Sequence, residues 1–454
     1  MDDRHPWRVR LVAALTLFVV TAAIGAIVTS IPAQAQPYRD GVAMSAPFSV
    51  LLCKASNNPA EPAERSFFAD MIIHRGTGGV ADYLYDQSRG QLDISSYSSI
   101  RGWLTTTKSE AEIRNLPHRE NKISVCVEAA RRAGYTPPRD HQVVTIYNFE
   151  VGDVGTHNGV LMDTTSYNSS FAAHEMLHTM HLGHSWSTDQ TYLNGKPNAN
   201  PGEYDDPWDE MSAMNTFSNV SGRFAPAPVG LNAFNLDTLG WLPRNRIGVV
   251  ASPLLMTTRV RIASLDVEGM STLPLLVRVP ISNNDPTHYY TLEYRKKLGW
   301  DDAIPHDTVL IHEIKANTSY LLRDSDLPGR PPVQHLATAS VEIDVEDLSD
   351  TTATISVTVK SGALEPHSPN TCKEGFVWRQ ADAYDYVCVT PETYLKVQHD
   401  NANIDHRFLL GEIGCHTGLT PRLAFINDHV CVMKSIRDQM WKDNTLRWER
   451  LSRR

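Results

Sequence analysis

The sequence predicts a mixed α/β (α+β) domain, then a β-sandwich-like domain, then two small disulfide-stapled repeats. Three observations lead there. Strand-like and helix-like segments alternate up to a histidine-rich helix near residue 174, short apolar β-type runs fill residues 249–360, and four cysteines recur at a fixed spacing beyond 371. The expected division is 36–248, 249–360, a linker at 361–371, and repeats at 372–414 and 415–454.

Residues 1–35 stand apart. Arg4, Arg8 and Arg10 precede residues 11–31, which carry no charge over 21 positions, and Ala33-Gln34-Ala35 follows. A basic start, an apolar core and a small-x-small sequence mark an export signal cleaved after Ala35; 21 such residues are also long enough for an uncleaved membrane anchor. The basic flank stays inside in either case. The expected location is therefore secreted or extracellular, with a membrane-anchored form as the alternative. Without residues 1–35 the chain holds 39 basic against 50 acidic residues, a net charge of −11. A polyanion partner needs a basic face, so nucleic acid is not an expected partner. The one basic cluster, Arg447, Arg450, Arg453 and Arg454, reads as a solvated tail.

In the first domain, a strand is expected at 49–52, helices at 64–73 and 80–87, extended chain from 91 onward, a helix at 125–133 ended by Gly134, and strands at 141–147 and 159–164. Residues 174–184 then read His-Glu-Met-Leu-His-Thr-Met-His-Leu-Gly-His. With 18 His in 454 residues, His-Glu-x-x-His followed six positions later by His arises by chance in roughly one chain in a thousand. On a helix His174 and His178 lie one turn apart on one face, which lets two ring nitrogens close on one zinc ion. Glu175 falls about 100° round from His174, beside such an ion and placed as a general base. Ala172, Met176 and Met180, with Ala173 and Leu177, supply an apolar back, and Asn168, Ser169 and Ser170 offer an N-cap.

His181 and His184 compete as third ligand. A continued helix would carry His181 roughly 10 Å along the axis from His174, too far to share an ion bound at ~2 Å. His184 returns to the ion only if the chain turns, and Gly183 is the residue expected to turn it at positive φ. His184 is the expected ligand, and His181 a polar residue at the helix end. A set of plain buried histidines is the bland alternative.

The pattern resembles the metzincin clan of zinc endopeptidases, whose signature runs His-Glu-x-x-His-x-x-Gly-x-x-His. His181 stands where the clan has Gly, with Gly displaced to 183. The stretch Asp206-Pro207-Trp208-Asp209-Glu210-Met211 is similar to that of the immune inhibitor A and gametolysin-like peptidases, as are Leu231-Asn232-Ala233, Leu239-Gly240-Trp241-Leu242, Val80-Ala81-Asp82-Tyr83 and Gly90-Gln91-Leu92-Asp93. The resemblance covers roughly residues 47 to 320. It implies a zincin-like fold and Zn2+ held by His174, His178 and His184. It also implies Glu175 as base and a methionine turn at Met211, with Met214 second and an ordinary core methionine as the plainer reading. In that family the strand before the ligand helix lines the cleft, so Val160-Leu161-Met162 is the candidate for pairing with an extended peptide, or else an ordinary sheet strand. No Tyr follows two residues after Met211, so the tyrosine ligand of some metzincins is not expected.

The second domain carries β-type runs at 259–262, 275–279, 289–294, 309–314, 341–345 and 352–359. Asp205, Asp206, Asp209, Asp324 and Asp326 offer a structural Ca2+ site or, more plainly, exposed loop charge. Gly362, Pro366 and Pro369 suit a linker.

Beyond it, Cys372/Cys388 and Cys415/Cys431 each span 16 positions, and the two pairs are offset by 43. Gly375/Gly418, Arg379/Arg422, Ala381/Ala424, Asp385/Asp428, Val389/Val432, Asp400/Asp443, Asn401/Asn444 and Arg407/Arg450 keep that offset, so the C-terminus is a tandem repeat. Six cysteines in an exported chain read as three disulfides. Cys372 with Cys388 and Cys415 with Cys431 would staple the copies, leaving Cys53 for Cys126, or those two as buried thiols. Cys53 as an inhibitory zinc ligand fits less well than a structural role. Phe376 and Trp378 occur in copy one only, where they serve either a binding role or local packing.

The functional expectation is a secreted zinc endopeptidase acting on proteins or peptides. A non-catalytic surface adhesin whose repeats bind a cell-surface ligand is the rival from another class, and a closed structural zinc site is a third reading. The membrane is a partner only through residues 1–35, if these are uncleaved.

Overall fold

The computed structural model describes residues 47–195, 199–243, 246–250, 257–266, 272–281 and 288–360 (except 325 and 328). In the C-terminal region it describes 371–381, 385, 387–402, 415, 418–424, 428, 430–446 and 449–452. The signal or anchor expected at 1–35 and most of the linker at 361–371 lie outside them.

The chain is mixed α/β, with several sheets and three disulfides. It begins with β1 (Phe48–Lys54), α1 (Arg65–Ile72), α2 (Val80–Gln87), β2 (Ser99–Thr105), α3 (Glu110–Arg114) and α4 (Arg119–Arg132). It continues through β3 (Gln142–Tyr147), β4 (Gly155–Thr156), β5 (Val160–Met162) and α5 (Ser169–Thr179). The first sheet runs β2-β1-β3-β5-β4, with all pairings parallel except the last. A parallel strand is covered on both faces, and β1 is accordingly buried from Phe48 to Cys53. Val50, Leu52, Val144 and Ile146 face a core shared with Phe68, Leu84, Met176 and Leu177, whereas Leu51, Tyr147 and Leu161 face Ile123, Ala129 and Ala130 of α4. The Cys53–Cys126 disulfide joins β1 to α4 within this second layer.

Two boundaries differ most from expectation. Helix α4 begins six residues before 125, because its first turn shows little apolar periodicity: Lys122 is buried there as a polar group, its Nζ donating to the carbonyls of Val151 and Gly152. Residues 91–98 are not strand; Asp93 accepts from the Ser95 N–H and hydroxyl, and this local turn delays β2 to Ser99.

The next elements are β6 (Trp186–Ser187), α6 (Ala233–Thr238), β7 (Ile247–Val249), β8 (Thr257–Ala263), β9 (Leu276–Pro280), β10 (Tyr289–Arg295) and β11 (Thr308–Lys315). They are followed by β12 (Thr318–Leu321), β13 (His335–Ala337), β14 (Val341–Leu348) and β15 (Thr352–Val359). A six-stranded sheet β6-β12-β11-β10-β9-β7 and a four-stranded sheet β13-β14-β15-β8 bury Val260, Ile262, Val279, Leu292, Ile311, Ile343 and Ile355 in one cluster. Strands β8, β9, β10, β11, β14 and β15 contribute alternate residues to it, as two packed sheets require. The short strands β6 and β7 escape a periodicity reading. Leu265, Leu275 and Leu276 join the core of the first sheet, so apolar packing is continuous between the regions.

The C-terminal elements are β16 (Thr371–Cys372), β17 (Val377–Trp378), β18 (Cys388–Val389), α7 (Pro391–Ala402), β19 (Leu419–Pro421), β20 (Cys431–Met433), α8 (Lys434–Thr445) and β21 (Leu451–Ser452). Each copy is a disulfide-bonded hairpin plus a helix, and the copies interlock. Arg379 is held by Asp385 and donates across to the carbonyls of Ala424 and Met440; Arg422 is held by Asp428 and donates to that of Val397. Val397 and Met440 occupy equivalent positions, as do Ala381 and Ala424, and the four form the shared core. Both arginines are fully buried and each completes its hydrogen bonds on the main chain of the other copy.

Among the described residues, no helix is long and apolar enough to cross a membrane.

Candidate metal centre

Helix α5 starts where Asn168 accepts from the Phe171 N–H, and its back packs through Ala172, Ala173, Met176 and Leu177 into the core of the first sheet. That docking turns His174 and His178 the same way. Their Nε2 atoms are 3.0 Å apart, and one ligand atom from each of His174, His178 and His184 falls within 4.8 Å of the others.

The other ring nitrogens are engaged. Nδ1 of His174 donates to the Glu210 carbonyl (2.9 Å), Nδ1 of His178 to the Leu182 carbonyl (2.8 Å), and Nδ1 of His184 to Glu203 (2.7 Å). Each bond leaves Nε2 as a lone pair and fixes the ring plane, which is how metal-binding histidines are oriented. Burial, and then the neighbouring His178, push His174 down to about 3; burial also lowers His178 and His184. The shifts favour the neutral imidazole, the form that binds a cation. Neutral imidazole nitrogens at these separations fit an ion bound at ~2.0–2.1 Å.

The turn that returns His184 is made at His181, not at Gly183. His181 has φ 68° and is exposed, and its N–H bonds the His178 carbonyl. Gly183 lies outside the left-handed region, and an added Cβ would meet nothing within 4 Å. The left-handed residue is therefore the third after His178, and a histidine tolerates that conformation.

Glu175 is buried, and its Oε2 accepts from the Thr156 hydroxyl at 2.7 Å. Burial raises its carboxyl above the usual range, opposed by Thr156 and the Arg119 charge. Met211 is fully buried in the 3-10 turn Glu210–Asn215, the turn whose Glu210 carbonyl anchors His174. Its own carbonyl accepts from Ser185 N–H, one residue beyond His184. The Met214 side chain lies outside the described residues.

Three residues were not anticipated. Glu203 and Thr156 are the hydrogen-bond partners just given, and neither has a spacing that announces it. Tyr204 has φ 61°, its ring lies 4.2 Å from that of His184, and its hydroxyl is 2.9 Å from His184 Nε2. A tyrosine thus reaches the histidine cluster from before the methionine turn rather than from two residues after Met211.

Other expectations are corrected. Val160-Leu161-Met162 is not an edge: β5 lies between β3 and β4, with Leu161 opposite Gly155 and Val160 opposite Thr156. The edge on that side of the sheet is β4, and β2 forms the other edge. Asp205, Asp206 and Asp209 are neither exposed nor grouped as a calcium cage. All three are fully buried; Asp205 is gripped by Arg323 and Arg330, Asp206 by His312, and Asp209 by the N–H groups of Met211 and Asn232. Asp326 is exposed, as expected. Cys53 is bonded to Cys126 and so is not a zinc ligand. A second donor group, His335, Glu342 and Asp344, lies across β13 and β14, but Lys360 already neutralises Glu342 at 2.7 Å.

No protein-family profile matches the chain, and no curated protein matches it.

Proposed function

We propose that the chain is a secreted zinc endopeptidase of metzincin type. The observation that carries this reading is the convergence of three imidazoles beside a buried glutamate. Imidazole donors suit zinc better than calcium or magnesium, and three ligands leave a coordination position open. The ion, when bound, supplies a Lewis acid that polarises a peptide carbonyl and makes water acidic near neutral pH.

Glu175 takes a proton from the attacking water at its carboxylate and returns it to the leaving amine. Tyr204, pushed up to about 12 by burial and by Glu203, keeps its hydroxyl hydrogen, which lies against His184 Nε2; with that nitrogen committed to a metal, the hydroxyl would be free to donate to the substrate carbonyl oxygen. An extended peptide adds beside the edge strand β4, which gives main-chain recognition independent of side chains. Three disulfides fit an oxidising compartment. Glu175→Gln is the test: zinc stays bound while hydrolysis of a denatured protein substrate falls at least a hundredfold. Unchanged hydrolysis in that variant overturns the reading.

The adhesin reading draws on one feature, a cavity of about 590 Å³ in repeat one lined by Phe376, Trp378, Tyr394 and Leu395. It supports a binding role for the repeats beside the peptidase, and it leaves the histidine convergence without an explanation.

A further inference from the structure

Strand β4 has only two residues, yet one of them reaches the base directly. The Thr156 Oγ1 lies 2.7 Å from Glu175 Oε2 and 2.7 Å from the Glu175 main-chain oxygen. A hydroxyl has one hydrogen to give, and of the two acceptors the carboxylate binds it more strongly.

Thr156 is itself held from two sides. On one it pairs with Val160 of β5. On the other Arg119 donates from Nη1 to the Thr156 carbonyl and from Nε to the Asp153 carbonyl, both at 2.9 Å. The guanidinium comes so close that a Cβ on Gly155 would sit 2.7 Å from Arg119 Nη1, and Gly155 has φ 132°. A φ of that sign favours glycine there. Arg119, β4 and Glu175 are thereby linked by consecutive hydrogen bonds.

We propose that Thr156 is a positioning residue: its hydroxyl fixes the carboxylate of Glu175 and ties the base to the edge strand beside which an extended substrate lies. The inference rests on the reading of Glu175 as base. A glutamate has three rotatable side-chain bonds, and a buried carboxylate without a partner turns toward solvent; the threonine removes that freedom at one oxygen and leaves the other for the reacting proton.

The test uses the full-length zinc-loaded protein. Thr156→Val keeps shape and β-branching but loses the hydroxyl, and Thr156→Ser keeps the hydroxyl alone. Thr156→Val is expected to lower kcat about tenfold or more with KM within twofold, zinc content unchanged by elemental analysis, and the melting temperature close to that of the parent. Thr156→Ser is expected to restore kcat to within about threefold. The proposal is overturned if Thr156→Val leaves kcat intact, if Thr156→Ser is as impaired as Thr156→Val, or if kcat and zinc content fall together. Wild-type hydrolysis by Glu175→Gln would instead remove the base assignment, an outcome readily distinguished because it does not involve Thr156.

Discussion

Residues 174–184 and residues 189–209 build two buried polar clusters, and they resolve their burial in opposite ways. In the histidine cluster each Nδ1 is taken by a carbonyl or carboxylate, the Nε2 atoms of His174 and His178 face each other, and that of His184 meets the Tyr204 hydroxyl. In the aspartate cluster the charges are consumed: Asp189 and Asp205 share Arg330, Asp205 also binds Arg323, and Asp206 pairs with His312. Both contain strongly shifted groups. Burial lowers His174 to about 3, and burial with the neighbouring Asp206 raises Asp209 to about 6. A shifted buried group therefore marks a ligand site only where its unengaged atoms share a target. Where partners arrive from another element, here β11 (His312) and the loop after β12, it marks scaffold.

The largest expected effect breaks the first cluster. His178→Ala removes one of three ligands and is expected to abolish stoichiometric zinc binding after dialysis, with the fold intact by circular dichroism. Next comes the second cluster, where Arg323→Met leaves Asp205 with a single cation and is expected to destabilise the protein by about 3 kcal/mol in urea unfolding. Zinc content per folded chain should not change. Equal loss of zinc in both variants would erase the distinction between the clusters.

A smaller effect sharpens it through pH. Burial alone would raise Asp189, but hydrogen bonds from Thr191 and Arg330 hold it down at about 2. A carboxylate depressed in the fold stabilises fully above its unfolded value near 3.9 and loses that contribution as pH falls through about 2. The midpoint of urea unfolding should fall over that window in the parent, and less steeply in Asp189→Asn. The smallest effect concerns the turn. His181→Gly relieves a left-handed non-glycine residue and should raise stability by roughly 0.5 kcal/mol, with zinc affinity preserved.

How much of this was legible in the sequence depends on whether an interaction is local. The helix carrying His174, Glu175 and His178 follows from spacing, and the three disulfides follow from an even cysteine count and a repeated interval. The return of His184 was anticipated but attributed to Gly183, because glycine is the usual left-handed residue; the backbone turns at His181 instead. Thr156, Glu203 and Tyr204 reach α5 and His184 from 19 to 20 residues away, and no periodicity encodes such contacts. The aspartates looked like loop charge because Arg323 and Arg330 lie more than a hundred positions along the chain. Arg379 and Arg422 are legible as matching positions of a repeat, yet only the fold reveals that each arginine completes the opposite copy.

Elemental analysis of the purified chain, dialysed against trace zinc, tests the central claim most directly. One zinc per chain is expected in the parent and in Glu175→Gln, and none in His178→Ala. A parent protein that retains no zinc, or a His178→Ala protein that retains as much, would contradict it.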